Sequence, residues 1–250
     1  MASDSAATYT DGGQFTIGQQ QVTKVRALAN NSILYSSTGA IGVSQIIAEA
    51  VEDWWAKLGK TDPNPVAVME QLSKIPPAHL QHLFQSAGML TRAGGANMFG
   101  QVSCKTLMAI PVRGKANLFQ FAETGSPEQA TEELPFVALG SGQAIADPFL
   151  AFMDRILWTD HPPTVKEARM VAAWTISHVC ATHPGGVGGG PQMATLTLEN
   201  KRPKIVFEKA EEHLQIIDEE EKALREHILD RFSQSQTVEP PDIPKPEESV

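Results

Sequence analysis

The chain opens on alternating apolar and polar positions. Met1 to Thr8 (Met-Ala-Ser-Asp-Ser-Ala-Ala-Thr) has the look of a strand interior. Phe15-Thr16-Ile17 and then Val22 to Leu28 alternate as half-buried strands do. Turns are predicted at Asp11-Gly12-Gly13 and Asn30-Asn31, and a further strand at Ser32–Ser37 that ends on Thr38-Gly39. The period then lengthens. Val43, Ile46, Ile47, Ala50, Val51, Trp54 and Trp55 recur at helical spacing from Ile41 to Leu58. After a break at Lys60–Pro65, Val66 to Leu90 reads as a second helical region that restarts at Pro76-Pro77 and stops at Gly94-Gly95.

Strand patterns return at Thr106–Val112 and Ala116–Phe121, followed by a polar loop at 123–133 and a short apolar strand at Phe136–Leu139. From Gln143 to Trp158 the apolar positions Ile145, Phe149, Phe152, Met153 and Ile156 share one helical face. Thr164 is placed to cap a helix to about Ala181, with Glu167 completing a capping box. His183-Pro184 ends it, Gly185–Gly190 is a flexible connection, and Met193–Leu198 and Lys204–Phe207 are closing strands. Strands, paired helices, strands, paired helices, strands: that order predicts an α+β fold of two sheets with a helical layer on each outer face. A last helix at 208–232 carries Leu214, Ile217, Leu224 and Ile228 at a/d-like spacing, interrupted by Glu221. The stripe fits packing on its own domain or a seam to a neighbouring subunit equally well. Residues 233–250 are Pro- and Glu-rich and predicted disordered.

Composition narrows the partners. The 250 residues are 42% hydrophobic and 20% charged, ordinary for a globular protein. A net charge of −9 argues against nucleic acid and anionic membrane surfaces. No apolar run reaches the roughly 18–20 residues of a membrane helix. The start shows no basic-then-apolar leader, and Cys104 and Cys180 are too few for a disulfide framework, so buried free thiols and a cytoplasmic location are expected.

Candidate chemistry is sparse. Gly186 to Gly190 follows a helix, precedes a strand and lacks the lysine of a phosphate loop. His79 with His82, and Cys180 with His183, lack the second pair a four-ligand zinc site needs; neither metal nor cofactor is expected. Gly140-Ser141-Gly142 sits between an apolar segment and a helix. It is tighter than the Gly-x-Ser-x-Gly hydrolase elbow, which favours a cap or supporting role for Ser141 over a nucleophile. Asp4 and Lys24 lie in strand-like segments that could be adjacent; the pair is either a structural salt bridge or a carboxylate-tuned lysine able to help move a proton.

Four of these places resemble a proteasome-type subunit of the Ntn-hydrolase superfamily: Ala2-Ser-Asp4-Ser-Ala-Ala-Thr8; Val22-Thr-Lys24-Val-Arg-Ala-Leu28 with Ser36-Ser-Thr-Gly39; Leu139-Gly-Ser-Gly142; and Thr164-Val-Lys-Glu-Ala168 with its long helix, glycine cluster and strand. The resemblance spans residues 1–207 and implies a four-layer αββα sandwich that self-associates into a ring and hydrolyses peptides or unfolded proteins. In that family an N-terminal threonine is the nucleophile, and its α-amino group or a water is the general base. Carried over, Lys24 tunes the threonine hydroxyl, Asp4 orients Lys24, Gly39 donates its amide to the oxyanion and Ser141 supports the threonine amine. Two departures stand out. No strand bearing the threonine precedes Ala2, and Thr8 and Thr10 lie too far along to replace it. The relay residues usual after the fourth helix are replaced by His183-Pro-Gly-Gly186 and Gly188–Gly190. The implied alternatives are a gene that starts further upstream, a non-catalytic ring subunit, or an amide hydrolase of the wider Ntn group acting on small molecules.

Overall fold

Period-two burial in two long strands sets the architecture. The computed structural model describes residues 1–11, 14–59, 61–94, 98–183 and 187–235. In β5 (Ile33–Gly39), Ile33 and Tyr35 face one core while Leu34 faces another. In β6 (Cys104–Val112), Met108, Ile110 and Val112 join the first core and Ala109 packs on the second. Successive side chains on a strand point to opposite faces, so this sheet is buried on both sides. It has five strands in the order β4 (Arg26–Leu28), β5, β6, β7 (Lys115–Phe121) and β8 (Pro127–Gln129), all antiparallel neighbours.

Its first face is covered by α1 (Ile41–Leu58), α2 (Pro65–Leu72) and α3 (Ile75–Arg92), which contribute Ile47, Val51, Val68, Leu72 and Leu80. The predicted break at the proline pair falls just ahead of it: α2 ends at Leu72, and the pair occupies the first turn of α3, where a missing amide costs no helical hydrogen bond. On the second face Val25 and Leu34 bury against Ala194 and Leu196 of a three-stranded antiparallel sheet, β1 (Ala2–Ser3), β9 (Gln192–Glu199) and β10 (Arg202–Glu208), in the order β1-β9-β10.

The remaining helices, α4 (Gln143–Leu157) and α5 (Val165–Thr182), share Leu150, Met153 and Val171. The capping box at Thr164 and Glu167 forms as predicted. Arg169 of α5 donates to Glu208 and Thr195 at 2.9 and 3.1 Å, which ties the helix to β9 and β10.

Several sequence expectations need correction. Ala6–Asp11 (β2) and Gln14–Gln21 (β3) pair as a separate two-stranded sheet, and only Arg26–Leu28 of the expected 22–28 strand enters a ladder. Gly12-Gly13, predicted as its turn, lies outside the described residues, as do Lys60, Gly95 and Pro184–Gly186. The loop at 123–133 contains the short strand β8. Phe136–Leu139 joins no sheet; Phe136 and Ala138 pack on the α4–α5 core instead, so helices rather than strands supply its burial. Met1–Ala210 is one compact unit. The second unit begins at Glu211 and holds nearly all of α6 (Ala210–Ser235), which starts two residues later than predicted because β10 runs to Glu208. The tail from residue 236 on lies outside the described residues.

Candidate functional site

Asp4 and Lys24 are brought together, although neither lies in a strand. Ala2 and Ser3 pair with Met193 and Gln192, and this places Asp4 just past the end of β1. Lys24 lies in the connection from β3 to β4, where the next residue, Val25, is fully buried and pins the chain. The expectation of adjacent strands thus gives way to two irregular segments. Lys24 Nζ lies 2.7 Å from Asp4 Oδ1, with the two side chains 23% and 13% exposed. That shielding separates the pair from the solvated surface bridges that contribute little.

The carboxylate is held from its other oxygen. Asp4 Oδ2 accepts from the backbone amides of Ala6 and Gly188, each at 3.2 Å. Gly188 returns its carbonyl to the amides of Ser5 and Ala6 at 3.2 and 3.0 Å. Gly189 has φ +73°, and a Cβ there would lie 2.2 Å from Ser5 Oγ. Only glycine combines that backbone with that approach. Of the expected glycine connection, Gly188 donates its amide to Asp4 and Gly189 packs against Ser5.

Gln192 is the residue that sequence reasoning missed. Its Oε1 accepts from Lys24 N at 2.8 Å, and its Nε2 donates to Val22 O at 2.6 Å. One amide side chain thus replaces a rung of ladder and fixes the backbone that carries the lysine. The partners are 168 and 170 positions away in the chain, so no local pattern could have signalled it.

The Gly140-Ser141-Gly142 turn packs against Thr38, Val179 and Val187. Gly140 has φ +100°, and its Cβ position faces Thr38 Oγ1 at 3.4 Å, beside Gly39 at the end of β5. A Cβ at Gly142 would lie 2.5 Å from Val179 Cγ1 and 3.5 Å from Val187. The N-cap of α4 is Gly142, without a side-chain cap, so Ser141 does not cap the helix. Ser141 is exposed and makes no side-chain hydrogen bond among the described residues. Gly39 has φ +107° and lies so close to Ser103 O that a Cβ would sit 2.3 Å from it.

Cys180 of α5 is half-buried and senses both charges. Burial raises its pKa above the ordinary thiol value; Asp4 adds to the rise and Lys24 opposes it. The group is therefore a thiol at neutral pH, a poor nucleophile. Among the described residues no three His, Cys, Asp or Glu side chains gather to hold a metal ion. No described helix is long and apolar enough to cross a membrane.

No family model and no curated protein matches the chain. Solved structures do match. They include an Anbu (Gly-1) mutant from Hyphomicrobium sp. strain MC1, with a TM-score of 0.62 at 16% identity, covering 97% of this chain and 94% of that one. Anbu (ancestral beta-subunit) from Yersinia bercovieri superposes with a TM-score of 0.58 at 15% identity, over 97% and 94% of the two chains. The helical assembly of the Anbu complex from Pseudomonas aeruginosa gives 0.62 at 17%, over 96% and 93%. At this identity, what the chain shares with the Anbu proteins is their fold, one that agrees with the proteasome-type resemblance of its sequence.

Proposed function

We propose that this chain is a subunit of a self-assembling proteasome-like particle of the cytoplasm, built as a four-layer αββα sandwich. In this reading Asp4–Lys24 is the proton-handling pair of a threonine-type peptidase site. The observation that carries the reading is the 2.7 Å contact between Lys24 and a carboxylate already held by two backbone amides. A cation fixed in this way can lower the cost of deprotonating a neighbouring hydroxyl. The threonine would come from a strand added beside β1, with its α-amino group as base. The Gly39 amide would stabilise the oxyanion, and Ser141 would face the threonine amine. The substrate is a peptide or an unfolded protein. The names of the structural neighbours, an ancestral beta-subunit and a helical assembly, support the subunit role.

A non-catalytic ring subunit is the second reading, favoured by the exposed Ser141 side chain, which makes no hydrogen bond among the described residues. Fluorogenic-peptide turnover by the product of the whole gene separates the two. The peptidase reading expects turnover that Lys24→Ala abolishes, with covalent labelling of a threonine by a threonine-directed inhibitor. A particle that assembles, does not turn over peptide and takes no label is the scaffold. A stable monomer that hydrolyses small amides sinks both.

A further inference from the structure

The last helix carries a feature that the peptidase reading does not use. In the C-terminal half of α6, Leu224, Ile228, Leu229 and Phe232 are 50%, 42%, 53% and 64% exposed. They form one stripe, because positions three and four apart share a helix face. Between them is a depression of about 290 Å³, lined by Glu221, Leu224, Arg225, Ile228 and Leu229. The first four of these stand at i, i+3, i+4 and i+7. Four residues of one helix face form the hole that receives a knob from a facing helix in a coiled coil.

Charge selects the occupant and its direction. Residues 211–221 hold six carboxylates and no Lys or Arg, whereas 222–233 hold three cations against two carboxylates. A parallel, in-register copy would lay the acidic run Asp218–Glu221 beside itself, and like charges at close range repel. An antiparallel copy with Leu224 level with Ile228 instead lays Asp218–Glu221 beside residues 231–234, which begin with Arg231 and hold no carboxylate. With Leu224 facing Ile228 of a second copy, Glu220 comes level, within one residue's rise, with Arg231 of that copy on the same flank of the seam. Two-fold symmetry makes this contact twice.

We infer that the C-terminal half of α6 is a self-recognition surface whose occupant is the same stretch of a second copy, packed antiparallel through Leu224 and Ile228 and flanked by Glu220–Arg231 pairs. This deepens the self-association within the proposed function by naming one surface. The test reads that surface alone, so a particle held by other contacts can fail it while the broader reading stands.

The full chain is studied by cysteine cross-linking and analytical ultracentrifugation. Mixed Leu224→Cys and Ile228→Cys chains should cross-link under mild oxidation well above the level of wild type, which carries the background of Cys104 and Cys180. Leu224→Glu/Ile228→Glu, at exposed positions and checked for helix content by circular dichroism, should halve the mass of the smallest associated species. Arg231→Glu should weaken association about tenfold and Glu220→Arg/Arg231→Glu should restore it, since a tenfold change corresponds to about 1.4 kcal/mol. Cross-linking of Leu224→Cys to itself in preference to the mixture overturns the antiparallel arrangement. Absence of cross-link together with an unchanged mass in the glutamate variant overturns the surface altogether.

Discussion

Lys24 Nζ and Asp4 Oδ1 meet at 2.7 Å, and the second oxygen of that carboxylate takes the Gly188 amide from the far end of the chain. The contact therefore joins three segments: the residues after β1, the β3–β4 connection and the loop ahead of β9. It supplies both the candidate chemistry and a clasp across the fold.

Cys180 is a built-in reporter of that clasp. Asp4 pushes its pKa up and Lys24 pulls it down. Asp4→Asn should speed alkylation of Cys180 by iodoacetamide at pH 8, because more thiolate is present, and Lys24→Met should slow it. The rate–pH profile of the singly modified protein, located by peptide mass mapping, checks both signs. Equal rates in the two variants would place Cys180 outside the influence of the pair.

Gln192→Ala removes both hydrogen bonds that fix the Lys24 backbone and leaves a part-buried amide and carbonyl without those partners. The expected loss is about 1–3 kcal/mol of unfolding free energy, since an unsatisfied polar group keeps its desolvation penalty. Urea unfolding should show a lower midpoint with an unchanged slope.

At the head of α4 the constraint is space. Gly142 has an ordinary helical φ of −82°, so Gly142→Ala suffers no backbone strain; its new methyl meets Val179 Cγ1 at 2.5 Å. Overpacking of this kind costs about 1–3 kcal/mol. Val179→Ala alone opens a small cavity, but in the double variant the two changes should compensate. A double-mutant cycle measured by thermal unfolding should give a coupling on the order of 1 kcal/mol.

Alkaline pH probes the first core. Burial pushes Tyr35 up to about 12 and Cys104 up to about 12. The Tyr35 hydroxyl donates to Ser44 O at 3.1 Å and stacks its ring under Arg26, 5.2 Å away. Both groups have a folded pKa above the unfolded value, so the folded state holds protons that the unfolded state has already released. Stability is intact below about pH 9 and falls as pH rises from there towards 12, by up to about 1.4 kcal/mol per pH unit for each group. Tyr35→Phe and Cys104→Ala should each flatten the profile of unfolding free energy between pH 9 and 11.

How much of this was legible in the sequence depends on the range of the interaction. The helices α1, α3, α4 and α5, the Thr164 capping box and the buried alternation of β6 are written locally. Each rests on neighbours within a few residues, and periodicity reports those directly. The Asp4–Lys24 pair was visible as a candidate from residue type and resemblance. The adjacent strands on which the two residues could have sat give way to two irregular segments, which have no periodic signature. Phe136–Leu139 shows the converse: an apolar run whose burial comes from helices reads the same as a strand.

The sequence by itself determined where the long helices α1, α3, α4 and α5 and the strands β5, β6 and β9 fall, and the residue types from which a site could be made. Only tertiary structure decided that Gln192 would clamp Lys24 from 168 positions away, that Gly188 would donate its amide to Asp4, and that Ser141 would be left exposed. Those outcomes depend on two sheets closing on each other and bringing distant backbone amides within about 3 Å of a carboxylate, a distance set by packing and carried by no local stretch of chain.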